Sequence, residues 1–285
     1  MTLFFGDSSS NNGPDVNLKA ASKVLAGCMI KVTQGVNYVN PDWAAQSAQA
    51  EELAADGDFV PGAFLFADGS AGAAQAQWFA EHAGHLWGWM IVVDVERNSV
   101  GSSPTIADAR AIAAELRKLY PFHKIGGYAP HWYTGQAGLR FFDFIIASAY
   151  VEGTGSAGEL YAKVPASWWA PYGGEEPALL QFSSSVQISG FPAPADCSAF
   201  RGSLADLRAL AGGKGACRRK AKGVWSLNQT AHVRHTEPAF LEGVSRENLT
   251  GADLEAFEKY VAGGTEKIMP AGLVYYTAHR GGPAG

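Results

Sequence analysis

In Met90-Ile91-Val92-Val93-Asp94-Val95-Glu96 an apolar run ends in two acids separated by one residue. If the run is a strand, Asp94 and Glu96 face the same side, with backbone positions about 6.6 Å apart at a rise of about 3.3 Å per residue. Two carboxylates that close, at the rim of an apolar interior, cannot both ionise freely, so one is pushed toward the protonated form that a general acid needs. Glycoside hydrolysis uses such chemistry: one carboxylic acid protonates the leaving oxygen while other carboxylates stabilise an oxocarbenium-like transition state. Taken alone, Asp-x-Glu at a strand end is equally compatible with a divalent metal or a solvent-facing rim. Two further acids occupy comparable places. Asp7 follows Leu3-Phe4-Phe5-Gly6, and Asp196 precedes Cys197-Ser198-Ala199-Phe200.

The elements that must position these acids alternate over the first two-thirds of the chain, short β-branched or aromatic runs giving way to Ala-rich amphipathic stretches. That alternation is the βαβ signature of a parallel sheet. The strands expected are Leu3 to Phe5, Met29 to Thr33, Phe59 to Phe66, Met90 to Val95, Lys124 to Tyr128, Phe144 to Ser148, Leu179 to Phe182 and Asp196 to Phe200. Helices are expected over Asp15 to Ala26, Pro41 to Ala55, Ala71 to Ala83 and Thr105 to Leu119, whereas the connections from Phe144 onward are Gly-, Ser- and Pro-rich with little room for full helices. Eight strands at this spacing predict an α/β fold, a modified TIM-like β/α barrel with its site at the carboxyl ends of the strands. First and last strands would then be neighbours, bringing Asp7 and Asp196 toward Asp94 and Glu96. A doubly wound open sheet is the alternative, but the glycine fingerprint it often carries after its first strand is missing.

With 285 residues, 47% of them hydrophobic, the chain can bury a large core, and its length suits one barrel of about 200 to 250 residues plus an appendage. Residues 1–211 are assigned to the barrel, the small, Gly-rich and basic stretch 212–222 to a linker, and 223–285 to a small C-terminal α+β region with a capped helix over Thr250 to Val261 and a strand over Leu273 to Thr277. A net charge of -5 without an aromatic-interleaved basic stripe argues against a nucleic-acid partner. Cys28, Cys197 and Cys217 are too few and too scattered for a disulfide framework. The amino terminus lacks a basic n-region and a long apolar stretch, so no signal peptide and no membrane insertion are expected. The pairs His82 with His85 and His232 with His235 have no third ligand in view and read as surface or helix-end residues, so no metal is expected.

Over roughly residues 1 to 210 the chain resembles glycoside hydrolase family 25, the Chalaropsis-type lysozymes of bacteria, fungi and phages. The matching segments are Gly6-Asp7-Ser8-Ser9-Ser10, Lys31-Val32-Thr33-Gln34-Gly35 with Tyr38, Asp94-Val95-Glu96, Gly127-Tyr128 with Trp132, Ile146-Ala147-Ser148, Leu180-Gln181-Phe182-Ser183, and Asp196-Cys197-Ser198-Ala199-Phe200-Arg201-Gly202. Their order over some two hundred residues makes the match more specific than any one segment. The resemblance implies hydrolysis of the β-1,4 bond between N-acetylmuramic acid and N-acetylglucosamine in bacterial peptidoglycan, without a cofactor, on a barrel of five β/α units and three closing strands. It implies Glu96 as general acid with Asp94 assisting, Asp7 and Asp196 orienting substrate and tuning charge, and a retaining outcome helped by the substrate's acetamido group.

Sugar faces stack on aromatic rings, so Phe66, Tyr128, Trp132, Tyr150 and Phe182, at or beyond expected strand ends, are candidate substrate contacts together with Gln181. The sequence also departs from the family. Gln34 stands where Glu is usual, Asn40 where Asp is common, and Ala63-Phe64-Leu65-Phe66 replaces a Tyr-His-Phe strand end, which bears on substrate preference more than on reaction class. A phage-borne enzyme is expected, delivered from the host cytoplasm by a holin or carried in the virion, with residues from about 222 as wall-binding or particle anchor. The alternative is a non-catalytic glycan-binding or virion structural protein that keeps the barrel.

Overall fold

A computed structural model describes residues 2–84, 86, 88–99, 101–121, 123–131 and 138–211, with the short segments 218–219, 225–226, 267–268 and 274–275. The strands are β1 (Leu3–Ser8), β2 (Leu25–Gln34), β3 (Tyr38–Val39), β4 (Val60–Phe66), β5 (Met90–Asp94), β6 (Ile125–Pro130), β7 (Phe144–Ser148), β8 (Leu179–Val186) and β9 (Ala195–Phe200). They form one sheet in the order β1-β9-β8-β7-β6-β5-β4-β2, and a β1–β2 pairing closes it into an eight-stranded barrel; β3 is a two-residue hairpin arm on β2. Seven barrel strands run parallel, and β9 pairs antiparallel with both β1 and β8. This is the expected modified barrel, and all eight expected strands are present.

Strand alternation sorts the side chains into two cores. Phe5, Met29, Phe64, Met90, Val92, Phe144, Ile146, Leu179 and Phe200 fill the barrel interior, while Ile30, Leu65, Ile91, Val93, Ile145, Leu180 and Phe182 face the outer layer. Inside, space is tight: a Cβ on Gly126 would stand 2.3 Å from Cζ of Phe144, so glycine is required for that ring to lie across β6. The outer layer holds α1 (Leu18–Ala21), α2 (Trp43–Asp56), α3 (Gly72–Ala83), α4 (Ile106–Leu119) and α5 (Ala157–Tyr161). At the opposite end from the strands' carboxyl termini, α6 (Leu204–Leu210) closes the barrel with Leu207 and Ala211 packed on the interior cluster. Local chemistry explains the helix starts. The hydroxyl of Thr105 accepts from the Asp108 amide while the Asp108 side chain returns to the Thr105 amide, and the same reciprocal cap recurs at Ser156 with Glu159 and Ser203 with Asp206.

One expected helix is corrected. The stretch Asp15 to Ala26 forms only the single turn Leu18–Ala21, capped by Asn17, because Leu25 already belongs to β2. Its short apolar run fits either period, and pairing of Leu25 and Gly27 with β1 decides for strand. Beyond Ala211 the described residues are two antiparallel ladders, Arg218–Arg219 with Trp225–Ser226 and Lys267–Ile268 with Val274–Tyr275. The second ladder overlaps the strand expected over Leu273 to Thr277; the helix expected over Thr250 to Val261 lies outside the described residues, as does the rest of the linker and tail.

Candidate active site

The interior changes character toward the carboxyl ends of the parallel strands. One step beyond the apolar plug, β1 presents Asp7, β2 Lys31, β4 Phe66, β5 Asp94, β6 Tyr128 and β8 Gln181, and together they line a single pocket. In register, Phe66 stands beside Asp94 and Asp94 beside Tyr128. The chain beyond β5 stays tied to its neighbours, since the Val95 amide donates to the Tyr128 carbonyl at 2.8 Å and the Asp94 carbonyl accepts from the Ala67 amide at 2.9 Å. This carries the two-residue repeat one step further and points Glu96 into the same pocket as Asp94. The reversed direction of β9 matters here. Asp196 is its second residue, so the start of an antiparallel strand reaches the end of the barrel where its parallel neighbours finish.

Asp7, Asp94, Glu96 and Asp196 therefore converge from three strands on one pocket. Burial raises the affinity of all four for protons. Asp7 and Asp94 are held well above the usual carboxylate range, first by burial and then by repulsion from the other acids, with Lys31 opposing. Burial, reinforced by Asp196 and opposed by Lys31, pushes Glu96 up to about 7. Burial raises Asp196 to about 6. A half-buried carboxyl near 7 can hold a proton at neutral pH and still exchange it with a group in the pocket, which is what a general acid requires.

The aromatic and amide residues sort themselves with equal clarity. Phe66, Tyr128, Tyr150 and Gln181 line the pocket. Oε1 of Gln181 accepts from the Tyr128 hydroxyl at 2.8 Å and from the Tyr150 hydroxyl at 2.6 Å, so one amide fixes both phenols. Tyr150 keeps 40% of its surface exposed and forms part of the mouth. Phe182 is not brought to the pocket. Adjacent residues of a strand face opposite ways, and with Gln181 inside, Phe182 is fully buried in the outer layer against Phe4 and Tyr161. Trp132 lies outside the described residues.

Residues not singled out from the sequence complete the wall. Lys31 enters from β2, Ser198 from β9, and Ser9 and Asn11 from the turn after β1, where Ser9 caps the single 3-10 turn Ser10–Asn12. Lys31 was legible as a motif member but not as a pocket residue, because its neighbours depend on barrel closure. Among the described residues no group of three or more His, Cys, Asp or Glu side chains is placed to hold a metal ion.

An eight-stranded barrel with four convergent acids at its carboxyl mouth, one of them with its carboxyl pushed up to about 7, has the geometry of a glycosidase. The family model for glycosyl hydrolases family 25 matches residues 7–190, and the chain belongs to that family. Solved structures agree on the fold. The chain is similar to the bacterial lysozyme of Streptomyces coelicolor, at 22% identity and a TM-score of 0.59, covering 73% of this chain and 96% of that one. It is similar to a family GH25 lysozyme from Aspergillus fumigatus, at 23% identity and a TM-score of 0.56, covering 75% and 100%. The catalytic domain of endolysin ply40 from bacteriophage P40 of Listeria monocytogenes matches at 14% identity and a TM-score of 0.58, covering 74% and 98%. Among curated proteins none matches the chain by sequence.

Proposed function

We propose that this glycoside hydrolase is a muramidase, cleaving the β-1,4 bond between N-acetylmuramic acid and N-acetylglucosamine in bacterial peptidoglycan. The observation that carries the reading is Glu96, half-buried in the pocket, with its carboxyl pushed up to about 7 beside three other acids. Glu96 donates its proton to the glycosidic oxygen as the bond from that oxygen to C1 of N-acetylmuramic acid breaks. Positive charge then develops on the ring, and ionised members of the remaining acids, Asp94 nearest in sequence, stabilise it. A water adds its oxygen at C1 and returns a proton to Glu96, so the enzyme ends as it began. Phe66 and Tyr150 offer ring faces to the pyranoses, and Tyr128 with Gln181 supplies fixed polar contacts. Digestion of purified peptidoglycan, with products identified by mass, tests the proposal. New reducing ends on N-acetylmuramic acid are expected; their absence, or reducing ends on N-acetylglucosamine, overturns it.

The likeness to a phage endolysin domain supports a setting in phage lysis, with action on the bacterial wall. No helix among the described residues is long and apolar enough to cross a membrane. Residues 223–285 are assigned the anchoring of the enzyme, to the wall or to a phage particle. Truncation after Gly213 separates the two: lost wall affinity means wall binding, and intact lysis with lost particle incorporation means particle anchoring.

A further inference from the structure

The pocket contains one cation among its acids. Lys31 faces it by ordinary strand alternation, two residues after the inward Met29, and an irregularity in β2 just beyond it brings Gln34 to the same side. Lys31 pairs with Phe64 on β4, but Thr33 pairs with Leu65 and Gln34 with Phe66, so β2 carries one residue more than its partner between Lys31 and Thr33. Val32 is the extra residue and turns into the outer core, which leaves Lys31 and Gln34 on the same inner side at a spacing of three. Buried Asn40 braces this bulge from β3's far side: its Nδ2 donates to the Lys31 carbonyl at 2.8 Å, and its amide donates to the Val32 carbonyl at 2.8 Å.

The surroundings hold the ammonium without cancelling its charge. Nζ of Lys31 donates to the neutral Oε1 of Gln34 at 2.7 Å and lies over the rings of Phe66 and Tyr38, 4.6 and 5.3 Å from their centroids. None of the ion pairs among the described residues involves Lys31. The titratable groups that share its pocket are the carboxyls of Asp7 from β1, Asp94 and Glu96 from β5 and beyond, and Asp196 from β9, with the phenols of Tyr128 and Tyr150; Tyr38 lies beneath it on β3. Burial disfavours the ammonium, whereas Asp94, Asp7 and Glu96 favour it.

We propose that Lys31 is a positioning residue whose positive charge, held against Gln34 on the inner face of β2, keeps Asp7 or Asp94 ionised while Glu96 retains its proton. The inference rests on the hydrolase reading of the same site. It deepens that reading by explaining how four crowded acids can divide into a proton donor and an anion. With no counter-charge, burial and mutual repulsion favour the protonated forms of Asp7 and Asp94, and an oxocarbenium-like transition state would meet no anion from β1 or β5. The neutral Gln34 is part of the device, because a carboxylate in its place would claim the ammonium for itself.

The test compares the wild-type chain with Lys31→Met, Lys31→Arg and Gln34→Glu, measuring kcat/KM on purified peptidoglycan across pH and the titration of 13C-labelled carboxyls in the same proteins. Loss of one charge several ångströms away should move the acid limb of the Lys31→Met profile up by about one to two pH units, lowering kcat/KM near its foot by roughly tenfold or more. Lys31→Arg should restore the limb to within about half a unit, and Gln34→Glu should move it in the same direction as Lys31→Met with the lysine intact. An unmoved limb in Lys31→Met, or a shift to lower pH in Gln34→Glu, overturns the proposal; if Lys31→Met fails to fold, Gln34→Glu decides. The carboxyl titrations need no turnover. Shifted carboxyls in a wild-type chain that releases no reducing ends would therefore refute the hydrolase reading and spare the role of Lys31.

Discussion

Glu96→Gln should make the protein less active and more stable, and the second effect should depend on pH. An ordinary glutamate titrates at 4.5, whereas burial holds Glu96 near 7 in the folded chain. The folded state thus binds this proton more tightly than the unfolded chain does, and the wild type loses stability as pH rises through the window between those values. Gln carries no such penalty. At about pH 8 the difference in proton binding amounts to roughly 3 kcal/mol, and at about pH 5 to less than about 1 kcal/mol. For a domain of this size the larger figure corresponds to a rise in Tm of about 6–12 °C. Thermal or urea unfolding of both proteins at the two pH values measures it, and release of reducing ends from peptidoglycan measures the activity. A proton donor cannot be replaced by an amide, so hydrolysis should fall by at least about a hundredfold. Equal or lower stability of Glu96→Gln at the higher pH would refute the burial argument, and wild-type hydrolysis would refute the assignment of the acid.

Three other substitutions separate the pocket from its supports. Phe182→Ala should cost about 3–5 kcal/mol by emptying the outer core beside Phe4 and Tyr161, with KM unchanged in the fraction that stays folded; a raised KM would return Phe182 to the pocket. Gln181→Leu should remove the 2.8 Å acceptor of the buried Tyr128 hydroxyl and leave it the longer 3.2 Å contact with Tyr150, costing about 0.5–1.5 kcal/mol, and raise KM through loosening of Tyr150; unchanged kinetics would show that the phenols need no common acceptor. Asn40→Ala removes the donor to the Lys31 carbonyl and the acceptor for the Asp42 amide, so urea unfolding should show a loss of about 2–3 kcal/mol, and the pH profile should shift with that of Lys31→Met. A stability loss without any shift would confine Asn40 to packing.

Much of the site is visible in the sequence because strand alternation is local. Asp94 and Glu96 share a face by spacing alone, and the eight apolar runs are separable by the polar or amphipathic stretches between them. The same rule places Phe182 outside once Gln181 is inside. The stretch Asp15 to Ala26 is not decided locally. A short apolar run fits a strand or a helix, and only its pairing with β1 decides.

What the sequence by itself determined is the set of elements, the acid pair on β5 and the candidacy of Asp7 and Asp196. Only the tertiary structure joined them, because closure of β1 onto β2 and the antiparallel entry of β9 are pairings between residues far apart in the chain. The same holds for the charge balance. Whether Gln34 meets the Lys31 ammonium depends on one extra residue in β2 relative to β4, and a bulge is defined by its partner strand, which the residues of β2 do not specify alone. The raised affinity of Glu96 for its proton follows in turn, since it comes from burial and from a carboxylate one hundred residues away that only the closed barrel brings near.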